Sequence, residues 1–195
     1  LDLMKADQSL DSLTAALLIA LGKVMDEERP DWVVVQGDTA TAMTAAIAAY
    51  YRKIPVAHVE AGLRSGNIHH PWPEEVNRKV IGTIAALHCA PTETAAAHLR
   101  RENIPDERIL VSGNTVIDAL METAAARPRP PLGFPDEPRT ILLTAHRRES
   151  FGEPLREALT AIRTFVNLTP DTAVYFPIHP NPAAQSVARE VLANH

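Results

Sequence analysis

Trp32-Val33-Val34-Val35-Gln36-Gly37-Asp38-Thr39-Ala40-Thr41 places a β-branched run, a glycine and two helix-capping residue types in immediate succession. The valines show no polar alternation, as expected of a parallel strand covered by helices on both faces. Gly37 permits a tight exit from that strand. Asp38 or Thr39 then suits the cap of the helix that the alanine-rich stretch behind them predicts. Strand, short loop and helix in that order is the building unit of open parallel sheets.

The same unit recurs along the chain. Apolar runs predict strands at 56–59, 87–90, 109–112, 141–145 and 173–178. Between them, helical patterns fall near 39–52, 74–86, 93–102, 115–125 and 153–168, with a last one from about 183. Ahead of the first strand, Ser9 and Asp11 are capping residues for an apolar-periodic stretch that runs to about Glu28, where Pro30 forbids continuation. Alternation at this spacing predicts a doubly wound α/β fold with right-handed crossovers. Residues 127–138 carry five prolines and cannot sustain a helix or an inner strand. They read as a linker between a first domain, 1–126, and a second, 139–195, whose two strands are too few to stand alone. Leu1 opens the chain without an initiator methionine, so the chain is expected to be a fragment, truncated at both ends.

Composition narrows the function classes. With 195 residues and 46% hydrophobic content the chain can bury a sizeable core. A formal net charge of −5, no lysine–arginine block and few aromatics argue against nucleic acid as a partner. A single cysteine, Cys89, cannot form an internal disulfide, which makes the cytoplasm the default compartment. The apolar stretch at 13–21 is too short to cross a bilayer and lacks the flanks of a signal peptide, so no membrane partner is expected. His69-His70 has no partner at a metal-ligand spacing, and Cys89 falls in a strand, so no metal is expected. Neither G-x-G-x-x-G nor G-x-x-x-x-G-K-[ST] occurs, and no G-x-S-x-G elbow is present; no cofactor is implied.

Chemistry-bearing residues gather where strands end, the place at which open parallel sheets bind ligands. After the first strand stands Asp38. After the second comes His58-Val59-Glu60-Ala61-Gly62-Leu63-Arg64-Ser65-Gly66-Asn67, in which Glu60 sits at the strand end and glycines allow close backbone approach. His58 reads as a satisfied polar residue of the core, and Arg64 can pair with Glu60. Pro71-Trp72-Pro73-Glu74-Glu75 follows; Pro73 fits the first helical position, and the glutamates suit a helix's positive end. Arg78, four residues after Glu74, can form an i,i+4 pair with it. Asp38, Glu60 and Glu74 together could supply the acid and base of a proton-transfer reaction. In the second domain, Thr144-Ala145-His146-Arg147-Arg148 sets cations at a strand end, suited to a diphosphate. His179-Pro180-Asn181-Pro182 repeats the polar-loop pattern.

Taken in order, Gly37-Asp38-Thr39, HVEAGLRSGN at 58–67, PWPEEVNR at 71–78, APTE at 90–93, SGNTVIDA at 112–119 and TAHRRESFG at 144–152 resemble the non-hydrolysing UDP-N-acetylglucosamine 2-epimerases. The resemblance covers nearly the whole chain. It implies two Rossmann-like domains facing across a cleft, similar to the B-type glycosyltransferases, both incomplete here. It implies reversible epimerisation of UDP-N-acetylglucosamine to UDP-N-acetylmannosamine at C2, through anti elimination of UDP and re-addition to a 2-acetamidoglucal. On that resemblance Asp38, Glu60, Glu74 and His146 match catalytic residues, and Arg78, Arg147 and His179 are placed with substrate binding. The partner implied is a UDP sugar, the full-length protein is expected to be a homodimer, and this piece alone is expected to be inactive. The alternatives are a hydrolysing relative that releases free N-acetylmannosamine and a non-catalytic UDP-sugar-binding homologue.

Overall fold

Ser9 starts the first element: its Oγ accepts the Ser12 amide at 3.4 Å and caps helix α1 (Leu10–Glu28). Four short strands follow, β1 (Val33–Gln36), β2 (Val56–Val59), β3 (Leu87–Ala90) and β4 (Ile109–Val111). They pair in parallel in that order. Helices α2 (Ala40–Tyr51), α3 (Glu74–Ile84) and α4 (Glu93–Arg101) connect them, and α5 (Thr115–Ala126) comes after β4. The computed structural model describes residues 1–5, 8–126, 139–145 and 152–192, and the chain divides into two units, Leu1–Arg127 and Pro128–His195. The proline-rich stretch read as a linker, 127–138, lies outside the described residues.

In the first unit the core forms where α1, α2 and α3 meet one face of the sheet. Met25, Val35, Ala46, Ala49, Val56, Ile81 and Ala85 belong to one buried cluster, and the alanines of α2 let the helix lie close to the strands. Ala61, Ala90, Ala95, Ala96 and Leu99 form a second cluster under α4. In the ladder Val35 stands opposite His58, and His58 opposite His88, so two imidazoles sit side by side in the covered face. The alternate face differs from the sequence expectation of a strand covered on both sides. Val34 is 68% exposed and Leu110 52%. The buried cluster takes Val35 of β1, and Val34 points to the opposite side of the pleat.

The second unit holds a parallel pair, β5 (Arg139–Leu142) and β6 (Thr172–Tyr175), in register from Arg139↔Thr172 to Leu142↔Tyr175. Helices α6 (Glu153–Leu168) and α7 (Pro182–Leu192) pack together through Leu155, Leu159, Ala184, Val187, Ala188 and Val191. Both strands begin and end earlier than their apolar runs suggest.

Candidate functional site

The first loop, after β1, is built around Thr39. Its hydroxyl accepts the Ala42 amide at 3.1 Å and caps α2, so the capping role that the sequence left open between Asp38 and Thr39 belongs to Thr39. Asp38 is thereby released from the backbone, and its carboxylate forms an ion pair with Arg78 from α3. The loop's own carbonyls are also taken. His58 Nε2 donates to the Gly37 carbonyl at 2.8 Å, and Asn77 Nδ2 donates to the Asp38 carbonyl at 2.8 Å. Gly37 adopts φ 71°, which only glycine takes without strain.

The second loop leaves β2 through Glu60, a non-glycine residue at φ 67°. Such backbone costs energy and persists where surrounding structure dictates it, often at functional positions. A Cβ built on Gly37 would lie 4.0 Å from the Glu60 Oε2, so this carboxylate faces the Asp38 loop. Past Glu60 the chain is fastened residue by residue. The Ala61 amide donates to the Cys89 carbonyl at 3.0 Å. Gly62 (φ 83°) lies so close to α4 that an added Cβ would fall 2.3 Å from the Ala95 oxygen. Arg64 spans both oxygens of Glu102 at 2.8 and 2.6 Å and donates to the Leu63 carbonyl. The Arg64–Glu60 pairing expected from sequence is therefore not what forms: the fork of Arg64 is spent on Glu102, at the end of α4.

The third loop enters α3 at Glu74, where the helical pattern begins, with Pro73 in the cap position and not the first helical one. Glu74 is partly exposed, while Glu75 is fully buried. Arg78 does not take Glu74 as its i,i+4 partner. It bonds Glu75 at 3.3 Å, three residues back, and reaches across to Asp38. Glu75 also accepts the Ser65 amide at 3.1 Å and the Gly66 amide at 3.3 Å. Burial pushes the Glu75 carboxyl up, but those two amides and the Arg78 and Arg64 guanidiniums outweigh it and hold the group below its ordinary value.

The imidazoles behave oppositely. Burial pushes His58 below its ordinary value, against the Gly37 carbonyl that favours its charged form. Burial, reinforced by the neighbouring His58, pushes His88 down to about 4. Because a carbonyl only accepts, the Gly37 contact requires Nε2–H on His58; its buried Nδ1 has no hydrogen-bond partner among the described residues. The expectation that His58 is a satisfied core residue holds for one nitrogen of the two.

Asp38, Glu60 and Arg78 thus converge at the carboxyl ends of β1 and β2, with Glu74 at the start of α3 on the same loop system. His179, in the second unit, follows β6; its Nδ1 accepts the Asn181 amide at 3.1 Å. His146 and Arg147 lie outside the described residues. Sequence reasoning passed over Glu75, Asn77 and Arg64's true partner; the available signal for Glu75 was its i,i+3 spacing to Arg78 on a helix face shared with apolar Ile81. Among the described residues no group of three or more His, Cys, Asp or Glu is arranged to hold a metal, and no helix is long and apolar enough to cross a membrane.

Parallel Rossmann-type α/β architecture, with carboxylates and a guanidinium gathered at the strand ends, is of the class in which open sheets bind ligands outside the carboxyl ends of their strands. The family profile described as UDP-N-acetylglucosamine 2-epimerase matches residues 1–195, and the chain belongs to that family. A probable UDP-N-acetylglucosamine 2-epimerase of Ralstonia solanacearum is 44% identical over 193 residues, covering 93% of this chain and 51% of the relative. The structure of the Neisseria meningitidis UDP-GlcNAc 2-epimerase bound to UDP-GlcNAc superposes with a TM-score of 0.91 at 38% identity, over 99% of this chain and 54% of that one. The S. aureus MnaA–UDP co-structure gives 0.90 at 40% identity, over 96% and 52%. The chain spans about half the length of the curated relatives it matches.

Proposed function

We propose that the full-length protein carrying this chain interconverts UDP-N-acetylglucosamine and UDP-N-acetylmannosamine reversibly, without net hydrolysis. The observation that carries the reading is the convergence of Asp38, Glu60 and Arg78 at adjoining strand ends, in a family one of whose members is seen with UDP-GlcNAc bound. In the forward step a carboxylate removes the C2 proton while the C1–O bond to UDP breaks, leaving a 2-acetamidoglucal. In the return step UDP adds back at C1, and a proton is delivered to the opposite face of C2. The C2 hydrogen is not flanked by a carbonyl, so the barrier falls only if the departing diphosphate and the charge on the ring are both stabilised.

Asp38, Glu60 and Glu74 are the proton-handling groups in this proposal. His146 and Arg147 are assigned to the diphosphate on chemical grounds, since guanidinium and imidazolium donors suit phosphate oxygens. Arg78 holds the Asp38 carboxylate and keeps further N–H groups for the substrate, and His179 is assigned to the nucleotide. The same family resemblance supports a cytoplasmic homodimer. The test is turnover of UDP-N-acetylglucosamine in deuterated water by the full-length protein. Deuterium at C2 of both UDP sugars, with transient free UDP, is the expected result. Absence of exchange would refute the epimerase reading, and one-way release of free N-acetylmannosamine would replace it with the hydrolysing one.

A further inference from the structure

We propose that His58 and Asn77 are positioning residues for Asp38, clamping two consecutive carbonyls of its loop from two different elements. The inference rests on the reading of Asp38 as a proton-handling group. His58, on β2, is 1% exposed and donates from Nε2 to the Gly37 carbonyl at 2.8 Å. Asn77, on α3, is 4% exposed and donates from Nδ2 to the Asp38 carbonyl at 2.8 Å. The peptide between Gly37 and Asp38 and the one after it are therefore both fixed in rotation.

Three features make the clamp more than incidental satisfaction of polar groups. Gly37 stands at φ 71°, so the loop contains a residue with wide backbone freedom at the point where Asp38 is aimed. Among the described residues the remaining ties of the loop backbone are the Gly37 amide to the Val59 carbonyl at 3.0 Å, the Met43 amide to the Thr39 carbonyl at 3.0 Å and the Thr39 cap; none of them fixes the two carbonyls on either side of the Asp38 Cα. His58 also accepts a cost to serve here, since its buried Nδ1 has no partner among the described residues. A buried polar nitrogen left unpaired is unfavourable, and an apolar side chain on β2 would avoid it. What the imidazole supplies in return is the donor to Gly37.

Arg78 cannot replace this. It grips the carboxylate, but a carboxylate on an unclamped peptide can follow a guanidinium through several backbone orientations. Proton removal from carbon demands more, because displacing a catalytic group by about 1 Å can cost about a hundredfold in rate. Two rigid donors on the peptide and one cation on the side chain together fix both the origin and the direction of the group.

Glutamine carries an N–H at about the reach of an imidazole Nε2, so His58→Gln retains the clamp and His58→Met removes it. Asn77→Leu removes the other donor at nearly constant shape. In the full-length protein, His58→Met and Asn77→Leu are expected to lower kcat about tenfold to a hundredfold with KM changed by no more than about twofold, and His58→Gln to recover most of the loss. Amide exchange at Gly37, whose amide donates to the Val59 carbonyl, is read in the full-length protein without turnover and is expected to accelerate about tenfold in the Met and Leu variants but not in the Gln variant. Wild-type kcat in both donor-less variants, a loss confined to KM, or unchanged exchange at Gly37 would overturn the proposal. If the wild-type protein does not turn over, the functional reading fails, and the exchange comparison still decides whether the clamp exists. Should His58→Met not fold, Asn77→Leu against His58→Gln carries the same comparison.

Discussion

Acidification from pH 7 to 5 is expected to weaken the first unit, and His88 is the reason. The side chain is fully buried beside His58 in the covered face of the sheet, and its imidazole is pushed from an ordinary 6.5 to about 4. The folded protein therefore favours the neutral ring, while the unfolded chain takes up a proton as pH falls below about 6.5. The stability associated with the neutral ring is fully present above that value. It is lost as pH falls toward about 4, and nothing more is lost below. Across the whole window the linkage is worth about 3 kcal/mol, of which about 2 kcal/mol falls between pH 7 and pH 5. His58, also lowered by burial, acts in the same direction. Glu75 and Glu102 are held below their ordinary 4.5, so their contribution is lost at lower pH than that of the histidines. Urea unfolding followed by tryptophan emission isolates the first unit, because Trp32 and Trp72 both lie in it and the chain has no others. The expected result is a steep fall in the urea midpoint from pH 7 to 5 in the wild-type chain and a much shallower one in His88→Leu. Equal slopes in the two proteins would refute the assignment, as would a wild-type midpoint that does not move.

Three further outcomes follow from the same geometry. Gly62→Ala drives a Cβ to 2.3 Å from the Ala95 oxygen at φ 83° and is expected to cost more than about 3 kcal/mol, whereas Gly66→Ala, with φ 78° but nothing within 4 Å, should cost about 1 kcal/mol in the same urea assay. Thr39→Ala removes the α2 cap and should destabilise by about 1 kcal/mol, with Thr39→Ser restoring most of it. Asp38→Asn in the full-length protein should reduce kcat by about a hundredfold or more while leaving affinity for the UDP sugar nearly unchanged, as isothermal titration set beside steady-state rates will show.

What could be read from the sequence and what could not divides along physical lines. Element types were legible because they rest on local chemistry: β-branched runs for strands, Ser9 for the first cap, alanine-rich periodic stretches for helices. Boundaries in the second unit were not, because a strand ends where its partner's pairing ends. Arg139 and Thr172 open the ladder as one another's neighbours, although neither is apolar, and the apolar residues after Leu142 and Tyr175 lie past the last paired position. The site shows the same division. That Asp38, Glu60 and Arg78 stand at strand ends and a helix start follows from topology, which the repeated strand–helix units already dictate. Which charge meets which does not. Local spacing offered Arg78 a partner at Glu74 and Arg64 one at Glu60, yet both arginines chose partners from other faces or elements, where burial makes the pairing worth more.

Helix α3 shows why that choice was available. Its buried residues are Glu75, Asn77, Ile81 and Gly82, so half of its inward face is polar. Burying a carboxylate and an amide is costly unless every lone pair and proton is met. Here the costs are met largely from outside the helix, by the Ser65 and Gly66 amides for Glu75 and the Asp38 carbonyl for Asn77, while Arg78 of the helix itself bridges Glu75 and Asp38. None of those partners can move without exposing another buried polar group. The network therefore resists any one loop shifting alone, and the 37–39 loop, the 60–66 loop and the start of α3 are held as one body. A reaction that needs a base and a leaving-group contact fixed relative to one sugar ring requires that property. An apolar inward face on α3 would pack the same strands more cheaply but would leave Asp38 and the glycine-rich loop free to move independently.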